Sequence, residues 1–135
     1  MAHIKILQNV ANDIIAFAKS ELPIEACGYL AGNDGVISKS YNLTNIDKSP
    51  EHFSFDPKEQ FATVKDARNN GLQIIANFHS HPETPARPSI EDIALAYDPN
   101  ILYFIISFAA EIPDIKAFSI VKGEVQKIEI IIVNN

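Results

Sequence analysis

Residues 72–92 read LQIIANFHSHPETPARPSIED, and this stretch decides the fold as well as most of the chemistry. It begins as a β-prone run that leads directly into His79 and His81. Side chains two apart on a strand point to the same face, so the two imidazoles are expected to converge while Ser80 points the other way. Three prolines within residues 82–88 end the strand and predict a loop.

A second signal follows the loop at Ser89 and Asp92. Ser89 predicts the start of a short helix that runs to about Tyr97, with Asp92 in its first turn. Two histidines and one carboxylate leave a fourth tetrahedral position open, which is typical of a catalytic zinc site. The spacing Ser89-x-x-Asp92 is also that of a capping box, and both interpretations stay open at this point.

Outward from this stretch, hydrophobic spacing predicts an interleaved set of helices and strands. An amphipathic helix is predicted over Ile6–Ser20, and a second helix from the Asp56-Pro57 start to Asn70. Strands are predicted over residues 26–31, 35–43, 52–55, 72–78, 101–108, 115–121 and 125–133. Gly123 indicates a hairpin between the last two. We therefore expect one domain over residues 1–135, an α/β or α+β sandwich around one mixed sheet.

Composition and charge exclude several classes of function. The net charge is −6 and no Lys/Arg cluster is visible, which argues against a nucleic-acid partner. One cysteine, Cys27, permits no intrachain disulfide and cannot supply the Pro-Cys-x-x-Cys segment of the zinc deaminases. The longest apolar stretch, residues 101–110, is too short to span a bilayer. The expectation is a cytoplasmic protein without a membrane partner.

The series His79-Ser80-His81-Pro82, six residues, Ser89, two residues, Asp92 resembles the JAMM motif of MPN-domain metalloproteases. Residues 22–32, LPIEACGYLAG, resemble the first-strand segment of that family with its glutamate. The stretch that follows is also similar, at Asn45, Pro50, Phe53, Asp56-Pro57 and Glu59. The resemblance covers most of the chain and is strongest to the compact stand-alone prokaryotic members. It implies the MPN fold, a single curved mixed sheet flanked by helices with cytidine-deaminase-like layering.

The resemblance also implies roles for particular residues. His79, His81 and Asp92 correspond to the ligands of one zinc ion per chain. Glu25 corresponds to the acid/base and Ser89 to the serine that stabilises the oxyanion. The activity implied is hydrolysis of a peptide or isopeptide bond after the C-terminal glycine of a ubiquitin-like or sulfur-carrier protein ending in Gly-Gly.

Two other functions remain open at this stage. Many MPN domains are non-catalytic scaffolds that dimerise, and the same zinc chemistry would also hydrolyse a small amide. A homodimer is compatible with the apolar last strand, which is either core or interface. Among the other polar residues, Cys27 is expected to be a buried small hydrophobe, Asn45 a turn former, and His3 and His52 ordinary surface or loop histidines.

Overall fold

Seven strands and three helices lie along residues 2–135, the part of the chain that the computed structural model describes. The elements are β1 (His3–Leu7), α1 (Gln8–Glu21), β2 (Cys27–Asn33), β3 (Val36–Leu43), α2 (Pro57–Asn69), β4 (Gln73–His81), α3 (Ile90–Ala94), β5 (Leu102–Ser107), β6 (Asp114–Val121) and β7 (Glu124–Val133).

All seven of these strands belong to one mixed sheet in the order β1-β3-β2-β4-β5-β6-β7. The β4/β5 and β1/β3 pairs are parallel, while β2 pairs antiparallel with both β3 and β4. Strand β1 also pairs in parallel with β7, with Ile4 opposite Ile130, so the sheet closes into a barrel. The predicted mixed α+β fold with a curved sheet is confirmed, and its closure goes beyond the prediction.

The predicted helix over Ile6–Ser20 was wrong at its start. Residues His3–Leu7 form β1, and the helix begins only at Gln8. Ile4 and Ile6 are fully buried, while Lys5 between them is exposed, which is the period of a strand. Pairing with strands on both sides fixes this segment as β structure, although Ile6 and Leu7 also fit the helical spacing.

Two other predicted elements differ from the structure. The predicted strand over residues 52–55 is a loop, joined only by an isolated bridge between Asn45 and Phe55. Helix α3 ends at Ala94 instead of Tyr97, and Pro99 lies shortly beyond, where it disfavours further helix. Helix α2 starts as predicted, because the Asp56 side chain accepts a hydrogen bond from Lys58 N–H. No helix of residues 2–135 is long and apolar enough to cross a membrane.

Strand β4 lies near the centre of the sheet and separates two environments. Its residues toward the main core include the fully buried Phe78, whose ring lies 6.3 Å from that of Phe17 on α1. Backbones approach closely here, since a Cβ at Gly28 would lie 2.1 Å from the Tyr41 carbonyl oxygen and 2.4 Å from the Phe78 ring. A smaller apolar cluster that includes Ile105 packs beneath the loop before α3. The remaining residues of β4, which alternate along the strand with those facing the main core, face the side on which this smaller cluster lies.

Candidate metal centre

His79 and His81 lie at the C-terminal end of β4, and their side chains point to the same face as predicted. Both side chains are buried, and their Nε2 atoms lie 3.2 Å apart. Ser80 points to the opposite side, where its Oγ accepts a hydrogen bond from Ala26 N–H at 2.8 Å. This hydrogen bond joins the end of β4 to the segment that precedes β2. It therefore fixes the strand on the face opposite the two imidazoles.

Asp92 reaches the histidines from the first turn of α3. Its Oδ2 lies 3.1 Å from both His79 Nε2 and His81 Nε2, and it also accepts the Ser89 N–H at 2.9 Å. In return, Ser89 Oγ accepts the Asp92 N–H at 3.0 Å, which completes a capping box. The cap and the convergence on the histidines therefore coexist, because the cap holds the carboxylate in place.

These three side chains form the one group of metal-ligand type found among residues 2–135, with donor atoms all within 4.8 Å of one another. His81 Nδ1 lies 2.9 Å from the Pro85 carbonyl oxygen, an acceptor that favours the N–H on Nδ1 and leaves Nε2 to face the cluster. Two imidazole nitrogens and a carboxylate oxygen are a donor set that suits zinc and related divalent ions. The residues present thus fit a metal site.

The electrostatics of the cluster favour a charged Asp92. Burial alone would raise the pKa of this carboxyl, but hydrogen bonds from His79 and His81 lower it well below its usual range. For His81, burial is the largest single influence and lowers the pKa, but the hydrogen bonds with Asp92 and the Pro85 carbonyl and the nearby carboxylate charges together outweigh it, so the pKa is raised. A partly buried carboxylate that stays ionised is ready to bind a cation.

Glu25 lies opposite His81 across the β2/β4 pair. Cys27 pairs with His79, so the antiparallel register places Glu25, two residues earlier, beside His81. The side chain is only 3% exposed, and its Oε1 is buried without a hydrogen-bond partner among the described residues. Burial raises the pKa of this carboxyl to about 8, although the nearby His81 charge opposes the shift.

The loop of residues 44–55 holds Glu25 by its backbone. Ser49 O accepts the Glu25 N–H at 2.9 Å, and Asn45 Nδ2 donates to the Glu25 carbonyl at 3.0 Å. Asn45 is 1% exposed and also bonds to the backbone of His52, Asp47 and Ser54. Through these four hydrogen bonds, Asn45 holds the loop together and joins it to Glu25. The prediction of a simple turn former did not include this role.

Two aromatic residues of the same loop, Phe53 and Phe55, cover one side of the site. The Phe53 ring stacks on His79, with centroids 4.8 Å apart and planes at 27°. Phe55 contacts Phe53 edge to face and stacks on Tyr29 at 4.8 Å. Sequence reasoning noted Phe53 only as part of a family-like stretch, because an aromatic residue in a loop carries no signal for the histidine that it covers.

A groove of about 830 Å³ opens beside the cluster. Its walls come from β4, from the aromatic loop residues and from the segment after α3, and His79 and Asp92 lie at one side. Several neutral amides line it, including Gln60, Asn77 and Asn100. The site is therefore open to a substrate larger than water.

The remaining sequence candidates lie outside the three-donor cluster. Cys27 is fully buried and packs as a small hydrophobe, as predicted. Burial, and to a smaller extent the nearby carboxylates, raise the pKa of its thiol to about 12, so it has no nucleophilic character. His3 is exposed on β1. His52 is a loop residue, and its Nδ1 lies 3.0 Å from Asp47 Oδ2.

Comparison with known proteins connects this geometry to a family. A family model described as prokaryotic homologs of the JAB domain matches residues 7–121. The CysO-cysteine peptidase of Mycobacterium tuberculosis is 32% identical over 104 residues, which are 76% of this chain and 71% of that protein. The desampylase of Pyrococcus furiosus is 32% identical over 74 residues, 55% of this chain and 53% of that protein.

Solved structures show the same architecture. The solution structure of a protein from Desulfitobacterium hafniense is 47% identical with a TM-score of 0.90, covering 98% of this chain and 94% of that one. The crystal structure of a JAB1/MPN domain protein from Archaeoglobus fulgidus is 25% identical with a TM-score of 0.64, covering 95% and 99%. The predicted MPN fold is confirmed by these similarities.

Proposed function

The chain belongs to the compact prokaryotic JAB branch of the JAMM/MPN hydrolases, and on that premise we propose that it is a zinc metallopeptidase acting on a carrier protein. The bond cleaved is a peptide or isopeptide bond after the C-terminal glycine of a ubiquitin-like or sulfur-carrier protein ending in Gly-Gly. The observation that carries the proposal is the convergence of His79, His81 and Asp92 on one point, with the buried Glu25 beside His81.

The names of the relatives support the class of substrate. One is a peptidase of CysO-cysteine, and another is a desampylase. Both names fit the substrate class proposed here, a protein carrier joined through its end to another group. The groove beside the cluster supports the same class, because it leaves room for a peptide segment next to the reacting bond.

His79, His81 and Asp92 would hold one zinc ion, which supplies a Lewis acid that polarises a carbonyl and makes water more acidic. Glu25 takes up the proton of the attacking water and returns it to the leaving amine. A pKa raised to about 8 by burial suits a group that must both accept and release a proton near neutral pH. The orphaned Oε1 of Glu25 is available for this contact.

Ser89 is proposed to stabilise the oxyanion that develops on the substrate carbonyl. Its Oγ already accepts the Asp92 N–H, and among the hydrogen bonds of residues 2–135 its hydroxyl donates none. The O–H is thus free to donate to a substrate, and the capping box fixes its position before substrate arrives.

The first test is the zinc content of wild type and His81→Ala, measured in parallel by elemental mass spectrometry. We expect about one zinc per chain in wild type and little in the variant, since two remaining ligands hold zinc weakly. Cleavage of a Gly-Gly carrier conjugate by the zinc-loaded protein follows. Absence of metal from both proteins after reconstitution would instead favour the non-catalytic scaffold.

A panel of substrates separates carrier cleavage from hydrolysis of a small amide. The zinc chemistry is the same in both cases, so the difference must come from the groove. We expect the ratio kcat/KM to be higher for a carrier conjugate than for a small amide of the same scissile bond.

The homodimer and the cytoplasmic location stay predictions. Sedimentation of the purified protein tests whether it forms a homodimer.

A further inference from the structure

Asn77 occupies an unusual place on the floor of the groove. It precedes His79 by two residues on β4, so both side chains are on the same face of the strand, and both line the groove. Its Oδ1 is buried without a hydrogen-bond partner among the described residues.

An unpartnered buried amide oxygen destabilises a folded protein, because the group has lost its water without gaining a hydrogen bond. Elsewhere in the groove the Gln60 amide has a partner, because its Nε2 donates to the Tyr29 hydroxyl at 2.9 Å. Glu25 Oε1 and His79 Nδ1, like Asn77 Oδ1, are buried without one among the described residues. The Asn77 Oδ1 lies next to the cluster where substrate must bind. Such a group is better explained by a ligand that completes its hydrogen bonds than by folding.

The chemistry of the groove indicates which ligand. Its described lining contains the acids Glu91, Asp92 and Asp98 and no lysine or arginine, so it does not favour a carboxylate. An amide offers a donor and an acceptor side by side, which is complementary to a backbone peptide group. Two residues of strand separate the Asn77 and His79 Cα atoms by about 6.6 Å, so the peptide group contacted lies within about two residues of the scissile bond.

We propose that Asn77 is a specificity-determining residue that hydrogen-bonds the main chain of the carrier segment beside the scissile bond. This inference rests on the proposed function and assigns the residue that distinguishes an extended peptide from a small amide. Asn77 acts in binding and takes no part in proton transfer or metal ligation.

The test compares Asn77→Leu with Asn42→Leu, a matched control on the exposed face of β3 and outside the groove. For a Gly-Gly carrier conjugate, Asn77→Leu should raise KM roughly tenfold, because that is the change in affinity expected when about one net hydrogen bond is lost. The kcat should stay within about twofold of wild type. Its zinc content and its kcat/KM for a small amide lacking the carrier segment should stay unchanged. Its melting temperature should equal or exceed that of wild type, because no folding contact is removed.

The outcomes separate this inference from the proposed function. Wild-type cleavage of the conjugate with an unchanged KM in Asn77→Leu overturns the role of Asn77 alone. A KM raised equally for the conjugate and the small amide also overturns it, since the effect is then not on the carrier segment. Zinc-loaded wild type that cleaves no conjugate overturns the proposed function, and the inference with it.

Discussion

At Ser89, the observed capping role and the proposed oxyanion role can be separated by substitution. As N-cap, the residue needs only an acceptor or a permissive backbone, and glycine at an N-cap costs a few tenths of a kcal/mol. As oxyanion donor, it needs a hydroxyl. We expect Ser89→Gly to keep zinc and most of the stability while kcat falls by about 10²- to 10³-fold, measured on a carrier conjugate.

Ser89→Thr is the matched control for that prediction, because threonine both caps and donates. The side chain is exposed, so the extra methyl group has space. Activity of the Ser89→Thr variant close to wild type, together with a large loss in Ser89→Gly, would assign the effect to the hydroxyl. Equal kcat in wild type and Ser89→Gly would leave Ser89 with a capping role only.

Glu25→Gln is expected to retain zinc and to lower kcat by about 10²-fold or more, because glutamine cannot accept the proton. Metal content and conjugate cleavage measure the two effects on one sample. Normal turnover in this variant would remove Glu25 from the mechanism. Loss of zinc would instead show that Glu25 supports the metal cluster.

The buried carboxyl of Glu25 also predicts a dependence of stability on pH in the chelator-treated protein. Its folded pKa of about 8 lies above the ordinary value of 4.5, so the folded state favours the protonated form. Wild type should therefore lose stability relative to Glu25→Gln as pH rises from about 4.5 to 8, by about 1–3 kcal/mol.

Melting temperatures across that pH range measure the difference between Glu25→Gln and wild type. Glu111→Gln, at an exposed carboxyl group, is the control and should follow wild type. A constant difference between Glu25→Gln and wild type at every pH would contradict burial as the cause of the raised pKa.

Some residues of the site could be predicted from the sequence and others could not. His79 and His81 could be paired from strand periodicity alone, and the observed 3.2 Å between their Nε2 atoms agrees with it. Glu25 could not be distinguished from the other acids among the 17 in the chain except through the family resemblance, because its neighbourhood is created by pairing between distant strands. The hydrogen bond from Asn45 to the Glu25 carbonyl could not be predicted either, since the two residues are 20 positions apart in the sequence.

At the scale of elements, β1 was the main error, and it has a testable consequence. Ile6 is fully buried and pairs with Ile132 on one side and Ile37 on the other. We expect Ile6→Ala to lower the free energy of unfolding by about 2–5 kcal/mol, because it leaves a cavity where the barrel closes. Denaturant unfolding measures this effect.

Lys5→Ala is the control for that strand, because Lys5 is exposed between the two buried isoleucines. It should change stability by less than about 0.5 kcal/mol. Similar costs for Lys5→Ala and Ile6→Ala would contradict the alternation that defines β1. In sequence, Ile6 and Leu7 continue the helical spacing of Val10 and Ile14, so only pairing with β3 and β7 decides between strand and helix.

Helix α3 shows how little local structure the site requires. It comprises only Ile90–Ala94, and none of its residues is fully buried. Its position comes from the capping box and from the bonds of Asp92 to the two histidines. The sequence predicted its start through Ser89 correctly, because a capping signal is local, whereas the predicted end at about Tyr97 lies beyond the observed end at Ala94.

At the scale of the whole molecule, the site joins three distant parts of the chain. Strand β4 supplies His79 and His81, helix α3 supplies Asp92, and the segment before β2 supplies Glu25. The barrel holds β2 and β4 together, whereas α3 reaches β4 through the hydrogen bonds of Asp92 and packs on the barrel only through the partly buried Ile93. A bound metal ion should therefore stabilise the fold by linking α3 to the barrel.

Metal removal tests that coupling. An ion that binds only the folded state stabilises it by about 2.7 kcal/mol at a free concentration 100 times its Kd, which corresponds to roughly 10 °C in melting temperature for a domain of this size. We expect zinc to raise the melting temperature of the chelator-treated protein by an amount of this order, and His81→Ala to show almost no zinc-dependent shift. Amide exchange should slow most around residues 90–94, because none of these residues is buried and Asp92 joins them to the metal ligands. An equal zinc shift in wild type and His81→Ala would mean that zinc binds elsewhere, while a shift in melting temperature without slower exchange in α3 would show that the helix is already fixed by its capping box.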